Sequence, residues 1–158
     1  MEKEILRLGN PKLYEISSPV ERIELPQLSP IIQDLHDTLI AFRNRFHAGR
    51  AIAAPQIGIQ KRLLYMHIDQ PVILINPVLN LIGNEEMEVM DDCMSFPNLL
   101  VKVRRHKRIQ IQYRDMEWTE HEMFLEGDLS ELLQHEYDHL DGILATMRAI
   151  DNRSFYMK

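Results

Sequence analysis

The sequence lacks the features that mark disulfide-stabilised, secreted, membrane-spanning and repeat proteins. It has one cysteine among 158 residues, which excludes an internal disulfide. No apolar run is long enough for a signal peptide or a membrane span, and we find no repeats and no low-complexity linker. These features favour a cytoplasmic protein without a membrane partner, because a lone thiol stays reduced in that compartment.

Positive charge is also scarce. The chain has 18 Lys and Arg residues against 24 Asp and Glu residues, and its net charge of −6 argues against nonspecific binding of nucleic acid. Hydrophobic residues make up 45% of the sequence, an ordinary share for a packed protein of this length. We expect a single domain that spans residues 1–158.

The chain does contain a metal-binding pattern near its C-terminal end, the sequence His135-Glu136-Tyr137-Asp138-His139. On a helix, positions i and i+4 share one face, so the two histidines can offer imidazole nitrogens to one ion. Glu136 is then close enough to handle the proton of a water molecule at that ion. Helical spacing predicts a helix that begins near Gly127, with Asp128 or Ser130 as its cap, and ends at Gly142. The alternative is a surface helix that carries two histidines.

A catalytic ion needs a third protein ligand. After the second histidine the only carboxylates are Asp141 and Asp151, and no histidine follows. Cys93 is the upstream candidate, although a lone cysteine is more often a small buried hydrophobic residue. One thiolate and two imidazoles would leave an open position for water, as a divalent-metal hydrolase requires. The softness of these ligands permits zinc, iron, cobalt or nickel.

Three stretches, in order, resemble the signature motifs of the peptide deformylase family. Residues 49–58 resemble the glycine-rich first motif, residues 91–95 the second and residues 134–140 the third, and residues 8–13 also match. The resemblance covers nearly the whole chain. It implies hydrolysis of the N-formyl group of a formyl-methionyl peptide, or of a related small formamide, to formate and a free amine.

The same resemblance implies one divalent ion per chain, with Fe2+ favoured over Zn2+, Ni2+ or Co2+. A formyl-methionyl substrate would bring the protein into transient association with the ribosome, but the sequence shows no ribosome-binding element. Two alternatives remain open. One is a deformylase-like homologue with an altered substrate, and the other is a protein that binds metal or peptide with little turnover.

The resemblance also implies roles for individual residues. Cys93, His135 and His139 would be the metal ligands. Glu136 would accept the proton of water and deliver it to the departing amine. The backbone N–H of Met94 and the side chain of Gln56 would stabilise the negative oxygen of the tetrahedral intermediate. Asp138 would pair with Arg105 and brace the metal helix against the sheet, or it would be an exposed acid on that helix.

Four residues depart from the family pattern at positions that shape the substrate cleft: Arg50, Ala51, Asp92 and Glu131. Ala51 and Asp92 stand where the family has glycine, and Arg50 stands where it has an aliphatic residue. Glu131, like Asp128, lies on a helix face that is mostly apolar in the family. The alternative for these acids is favourable charge in the first turn of a helix. We expect a pocket altered toward a polar or cationic substrate, with Arg50 as the partner of Glu131 and a lower kcat/KM on formyl-methionyl peptides.

For the fold we predict an α+β protein, with mainly antiparallel mixed sheets packed around the C-terminal metal-binding helix and with an N-terminal helix. That first helix is predicted from Ser29-Pro30 to Phe46. Alternation and β-branched residues predict strands over residues 62–68, 72–75, 78–82, 86–90, 99–103, 108–113 and 118–125. Asn76-Pro77 and Gly83-Asn84 are expected to separate neighbouring strands.

Overall fold

In the computed structural model, which describes all 158 residues, six strands form one antiparallel sheet with helices packed on it. The elements are α1 (Leu25–Phe46), β1 (Ala51–Ala53), β2 (Leu63–His67), β3 (Pro71–Asp91), β4 (Leu99–Arg114), β5 (Glu120–Glu126), α2 (Asp128–Leu140) and β6 (Phe155–Met157). Strands β1 to β5 follow one another across the sheet, and β6 pairs with the beginning of β4. The predicted α+β class, with an N-terminal helix and a C-terminal helix, is confirmed. No helix is both long enough and apolar enough to span a membrane.

Side chains of β1 and β2 alternate between the two helices. Ile52 and Tyr65 belong to the core under α1, whereas Ala51 and Leu64 belong to the core under α2, together with Leu133. The alternation follows from the pleat, which points successive side chains to opposite faces of a sheet. The segment that begins at β1 therefore lies between both helices.

The long strands correct the predicted strand breaks. Residues 78–82 and 86–90 are not separate strands, because β3 continues past Asn76-Pro77 and Gly83-Asn84 with two shifts of register against β4. Residues 99–103 and 108–113 likewise form one strand. A paired neighbouring strand supplies hydrogen bonds on both sides of each irregularity, so a local turn signal becomes a bulge instead of a turn.

The helix boundaries also differ from the prediction. Helix α1 begins at Leu25 with Pro26 in its first turn, so Pro30 lies inside the helix instead of at its start. Helix α2 is preceded by Gly127, and no side chain caps it. Asp128 and Ser130 are therefore not caps. The Ser130 hydroxyl donates instead to the carbonyl oxygen of His106, at 2.8 Å, and ties α2 to β4.

Candidate active site

The three predicted metal ligands lie together in the interior. One ligand atom from each of Cys93, His135 and His139 lies within 4.8 Å of the others, and all three side chains are buried. The Sγ atom of Cys93 is 3.4 Å from Nε2 of His139. The turn after β3 supplies the cysteine, and adjacent turns of α2 supply the histidines. One thiolate and two imidazoles are a donor set that fits a divalent transition-metal ion.

Asp91, the last residue of β3, links His135 to the sheet. Its Oδ1 atom is 2.9 Å from Nδ1 of His135, although the alignment is poor for a hydrogen bond. Its Oδ2 atom accepts a hydrogen bond from Arg105 at 2.8 Å. Burial alone would raise the pKa of Asp91, but the charges of His135 and Arg105 outweigh burial and hold that pKa at about 2. Contact with Nδ1 leaves the other ring nitrogen of His135 for a metal ion.

Asp138 is buried beside two arginines and is not an exposed acid. It is 6% exposed, and Nη1 of Arg105 donates to its Oδ2 atom at 2.8 Å. Arg148 donates to both carboxylate oxygens of Asp138, at 2.5 and 2.9 Å. Burial opposes the charge on Arg105, but Asp91 and Asp138 raise the pKa of its guanidinium. The group Asp91–Arg105–Asp138 therefore joins the end of β3, the middle of β4 and the second half of α2.

Glu136 has an unused acceptor beside the histidines. Its side chain is 5% exposed, and its buried Oε2 atom has no hydrogen-bond partner. Burial, reinforced by the negative charge of Asp91, raises the pKa of Glu136 to about 7. Burial and the positive charge of His135 lower the pKa of His139 well below its usual value, which favours the neutral ring that a metal ligand must be. A carboxyl group with this pKa can both accept and release a proton near neutral pH.

Gln56 and Met94 lie beside the cysteine. The Gln56 amide is buried and donates to Oγ of Ser95 at 3.2 Å and to Sγ of Cys93 at 3.6 Å. Its Oε1 atom accepts a hydrogen bond from the backbone N–H of Ala53 at 3.0 Å, so the amide hydrogens point toward the cysteine. The backbone N–H of Met94 has no protein acceptor. The Met94 N–H is free to donate to a bound oxygen, and the Gln56 amide can do so in place of its long 3.6 Å contact with Sγ of Cys93.

A cavity of about 570 Å³ opens beside this group. Cys93, His135 and Glu136 line it, and so do all four residues that depart from the family pattern, namely Arg50, Ala51, Asp92 and Glu131. The apolar part of the cavity wall consists of Phe42, Phe46, Met94 and Leu132. The structure thus places the predicted cleft residues around one cavity. Asp128 is exposed and does not line it, which corrects the expectation that two acids of α2 would do so.

Two ion pairs lie in this cavity. Nη2 of Arg50 is 3.5 Å from Oε1 of Glu131, and Nζ of Lys158 is 3.1 Å from Oδ2 of Asp92. Burial and the charge of Asp91 raise the pKa of Glu131 to about 7. Asp92 does not have a positive φ, so its backbone does not need the conformational freedom of glycine.

Sequence reasoning overlooked three residues of this site. Asp91 lies at the start of the second motif, Arg148 lies eight residues after α2 and Lys158 is the final residue of the sequence. The sequence carries no signal for any of the three contacts. Asp91 and Lys158 contact residues in distant segments of the chain, whereas Arg148 contacts Asp138 across the turn that follows α2.

Comparisons with known proteins agree with the geometry. The Polypeptide deformylase family profile matches residues 2–154. Peptide deformylase 1 of Prochlorococcus marinus (strain MIT 9313) is 38% identical over 165 residues, covering 97% of this chain and 83% of the relative. The crystal structure of peptide deformylase from Thermotoga maritima aligns with a TM-score of 0.86 at 32% identity, covering 96% of this chain and 99% of that one. A peptide deformylase from Synechococcus elongatus, solved in complex with actinonin, aligns with a TM-score of 0.87 at 27% identity, covering 95% of this chain and 80% of the other. This chain therefore belongs to the polypeptide deformylase family.

Proposed function

We propose that this protein hydrolyses the N-formyl group of formylated peptides and releases formate and a free amine. The observation that carries the proposal is the buried Cys93–His135–His139 group, with the unpartnered Oε2 atom of Glu136 beside it in an open cavity. Family membership supports the same reaction.

The three ligands would hold one divalent ion, and we propose Fe2+, while the same donors also suit Zn2+, Ni2+ and Co2+. When bound, such an ion supplies a water molecule of lowered pKa that can attack a carbonyl carbon near neutral pH. Cys93 must then remain reduced, since the thiolate is the ligand. Because Cys93 must stay reduced to act as a ligand, we propose that the protein works in a reducing compartment such as the cytoplasm.

Glu136 would move the proton. Its Oε2 atom accepts the proton of the attacking water and then delivers it to the nitrogen of the departing amine, whose bond to the formyl carbon breaks. The carboxyl group can take both roles because its Oε2 atom lies beside the ligand group and has no protein partner. Burial keeps bulk water from competing for that proton.

Gln56 and Met94 would stabilise the oxygen of the formyl group. That oxygen becomes negative in the tetrahedral intermediate, and preorganised N–H donors lower the energy of the charged state. The Gln56 amide is held by Ala53 and aims its hydrogens toward Cys93, while the Met94 N–H is free. Both donors would thus be in place before the reaction begins.

Asp91, Arg105 and Asp138 would position the ligands without touching the substrate. The contact of Asp91 with Nδ1 of His135 sets the orientation of that ring, and Arg105 ties Asp91 to Asp138 on α2. Groups of this kind orient metal ligands and typically affect metal affinity when they are removed.

The test is release of formate from formyl-Met-Ala by protein loaded with Fe2+ without oxygen, compared with protein treated with a chelator. Acetyl-Met-Ala serves as the control, since a methyl group in place of the formyl hydrogen crowds the reacting carbon and makes it less electrophilic while the rest of the peptide is unchanged. We expect formate from the formyl peptide, much slower release of acetate and loss of both activities on chelation. A fully metal-loaded protein that releases no formate from any formyl peptide would refute the proposal.

A further inference from the structure

The ion pair between Arg50 and Glu131 leaves most of its hydrogen-bonding capacity unused. The single polar partner of the Arg50 guanidinium is Oε1 of Glu131, at 3.5 Å, and Glu131 has no other polar partner. By contrast, Asp91 is shared between Arg105 and His135, and Asp92 accepts from Lys158. The Arg50 and Glu131 side chains are 41% and 17% exposed, so the cavity offers both a donor fork and an acceptor to a ligand.

The pair lies in the same cavity as the ligand group, within reach of the first side chain of a substrate. Glu131 is one helical turn before His135 on the same face of α2, about 6 Å along the helix axis. Arg50 directly precedes β1, and both residues line the cavity that also contains Cys93 and Glu136. A peptide whose formyl carbon lies at the ligand group would therefore extend its first side chain toward Arg50 and Glu131.

We propose that this cavity selects formyl peptides whose first residue carries a primary amide, with glutamine as the best fit. The inference rests on the proposed deformylase function. The amide N–H would donate to Glu131, and the amide oxygen would accept from Arg50. A neutral amide fits a pair whose charges cancel. A cationic side chain would be repelled by Arg50, and an anionic one would be repelled by Glu131. An apolar side chain such as methionine removes water from both charged groups and gives neither a partner, which is unfavourable.

Glutamine and methionine make a close pair of substrates, because both side chains are unbranched through Cγ and the glutamine side chain is larger by a single heavy atom. The experiment measures kcat/KM for formyl-Gln-Ala, formyl-Met-Ala and formyl-Lys-Ala with the metal-loaded protein. We expect a preference for glutamine over methionine of about tenfold, as two ordinary hydrogen bonds would provide. The double variant Arg50→Met with Glu131→Leu should reverse that preference.

The exposed pair Arg104–Glu88, at 3.7 Å on β4 and β3, provides the control. Neither residue lines the cavity, so the double variant Arg104→Met with Glu88→Leu should keep the wild-type ratio of the two substrates. A ratio measured on one preparation does not depend on the folded fraction. If the Arg50–Glu131 double variant fails to fold, the half-exposed single variant Arg50→Met must lower the glutamine-to-methionine ratio by at least about threefold.

The outcomes separate this inference from the proposed function. No formate from any of the three peptides refutes the function itself. Efficient hydrolysis with methionine preferred refutes only the amide pocket, and so does a preference for lysine, which would make Glu131 a site for cations. A glutamine preference that survives in the Arg50–Glu131 double variant shows that other residues recognise the side chain and overturns the inference.

Discussion

Replacing Asp91 by asparagine removes one charge from the centre of the site while nearly preserving the shape of the side chain. The carboxylate lies 2.9 Å from Nδ1 of His135 and 2.8 Å from Nη2 of Arg105, and it is 4% exposed. The Asp91→Asn variant leaves Asp138 as the sole carboxylate contacting Arg105. We expect a less stable fold and a metal site of lower affinity.

The pKa of Asp91 provides the magnitude. That pKa is about 2, compared with an ordinary value of 3.8, because the charges of His135 and Arg105 outweigh the effect of burial. The difference corresponds to about 2 kcal/mol of stabilisation at neutral pH. Since the pKa is lower in the folded state, this stabilisation is present above pH 3.8 and is lost as the pH falls toward 2. Metal affinity should fall by about 10- to 100-fold, as it does when groups behind metal ligands are removed.

The assay is urea unfolding of the metal-free protein at pH 7 and again near pH 3, with metal affinity measured separately by competition with a chelator. Asp92 provides a matched control, since it is the neighbouring aspartate, its side chain is 53% exposed and its partner is Lys158. Asp92→Asn should change the free energy of unfolding by less than about 0.5 kcal/mol. Equal effects of the two substitutions, or an Asp91→Asn cost that does not decrease on acidification, would refute the reasoning.

Three further predictions concern the ligands, a glycine and the cavity acid. Each of three variants should lose most of the bound metal, measured by elemental analysis: Cys93→Ala, His135→Ala and His139→Ala. Gly142→Ala should destabilise the fold by at least about 2 kcal/mol in urea unfolding, because its Cβ would lie 2.5 Å from the Tyr14 carbonyl oxygen at a φ of +71°. Gly58→Ala, at a φ of +84° in the left-handed helical region and with open space around the Cβ, should cost about 1 kcal/mol. Glu131→Gln should raise the melting temperature at pH 8 but not at pH 4, since folding raises the pKa of Glu131 from 4.5 to about 7, so the cost of the carboxylate grows between those two pH values and is complete above pH 7.

The parts of the site that depend on local sequence were predictable. The spacing of His135 and His139 places both on one face of a helix, and that relation holds wherever the helix packs. Cys93 could be proposed as their partner from the demand for a third ligand and from the family resemblance. The ion pair of Arg50 with Glu131 was expected because a carboxylate in a pocket needs a partner.

The remaining features depend on contacts between distant segments. Asn76-Pro77 looks like the end of a strand, but pairing with β4 carries β3 through it to Asp91. The contact of Asp91 with His135 joins residues that are 44 positions apart and leaves no pattern in the sequence. Pro30 was expected to begin a helix, but α1 contains it within its length, since Leu28 and Leu35 are both buried in the core on either side of it.

The most direct test of the account compares Glu136→Ala with the wild type for both metal content and formate release. Glu136 lies between the ligands in sequence but is proposed to move a proton and not to bind the ion. The account predicts one metal ion per chain in both proteins and, in the variant, a loss of turnover on formyl peptides of roughly 10²- to 10⁴-fold. A metal-loaded Glu136→Ala protein that releases formate at nearly the wild-type rate would contradict it.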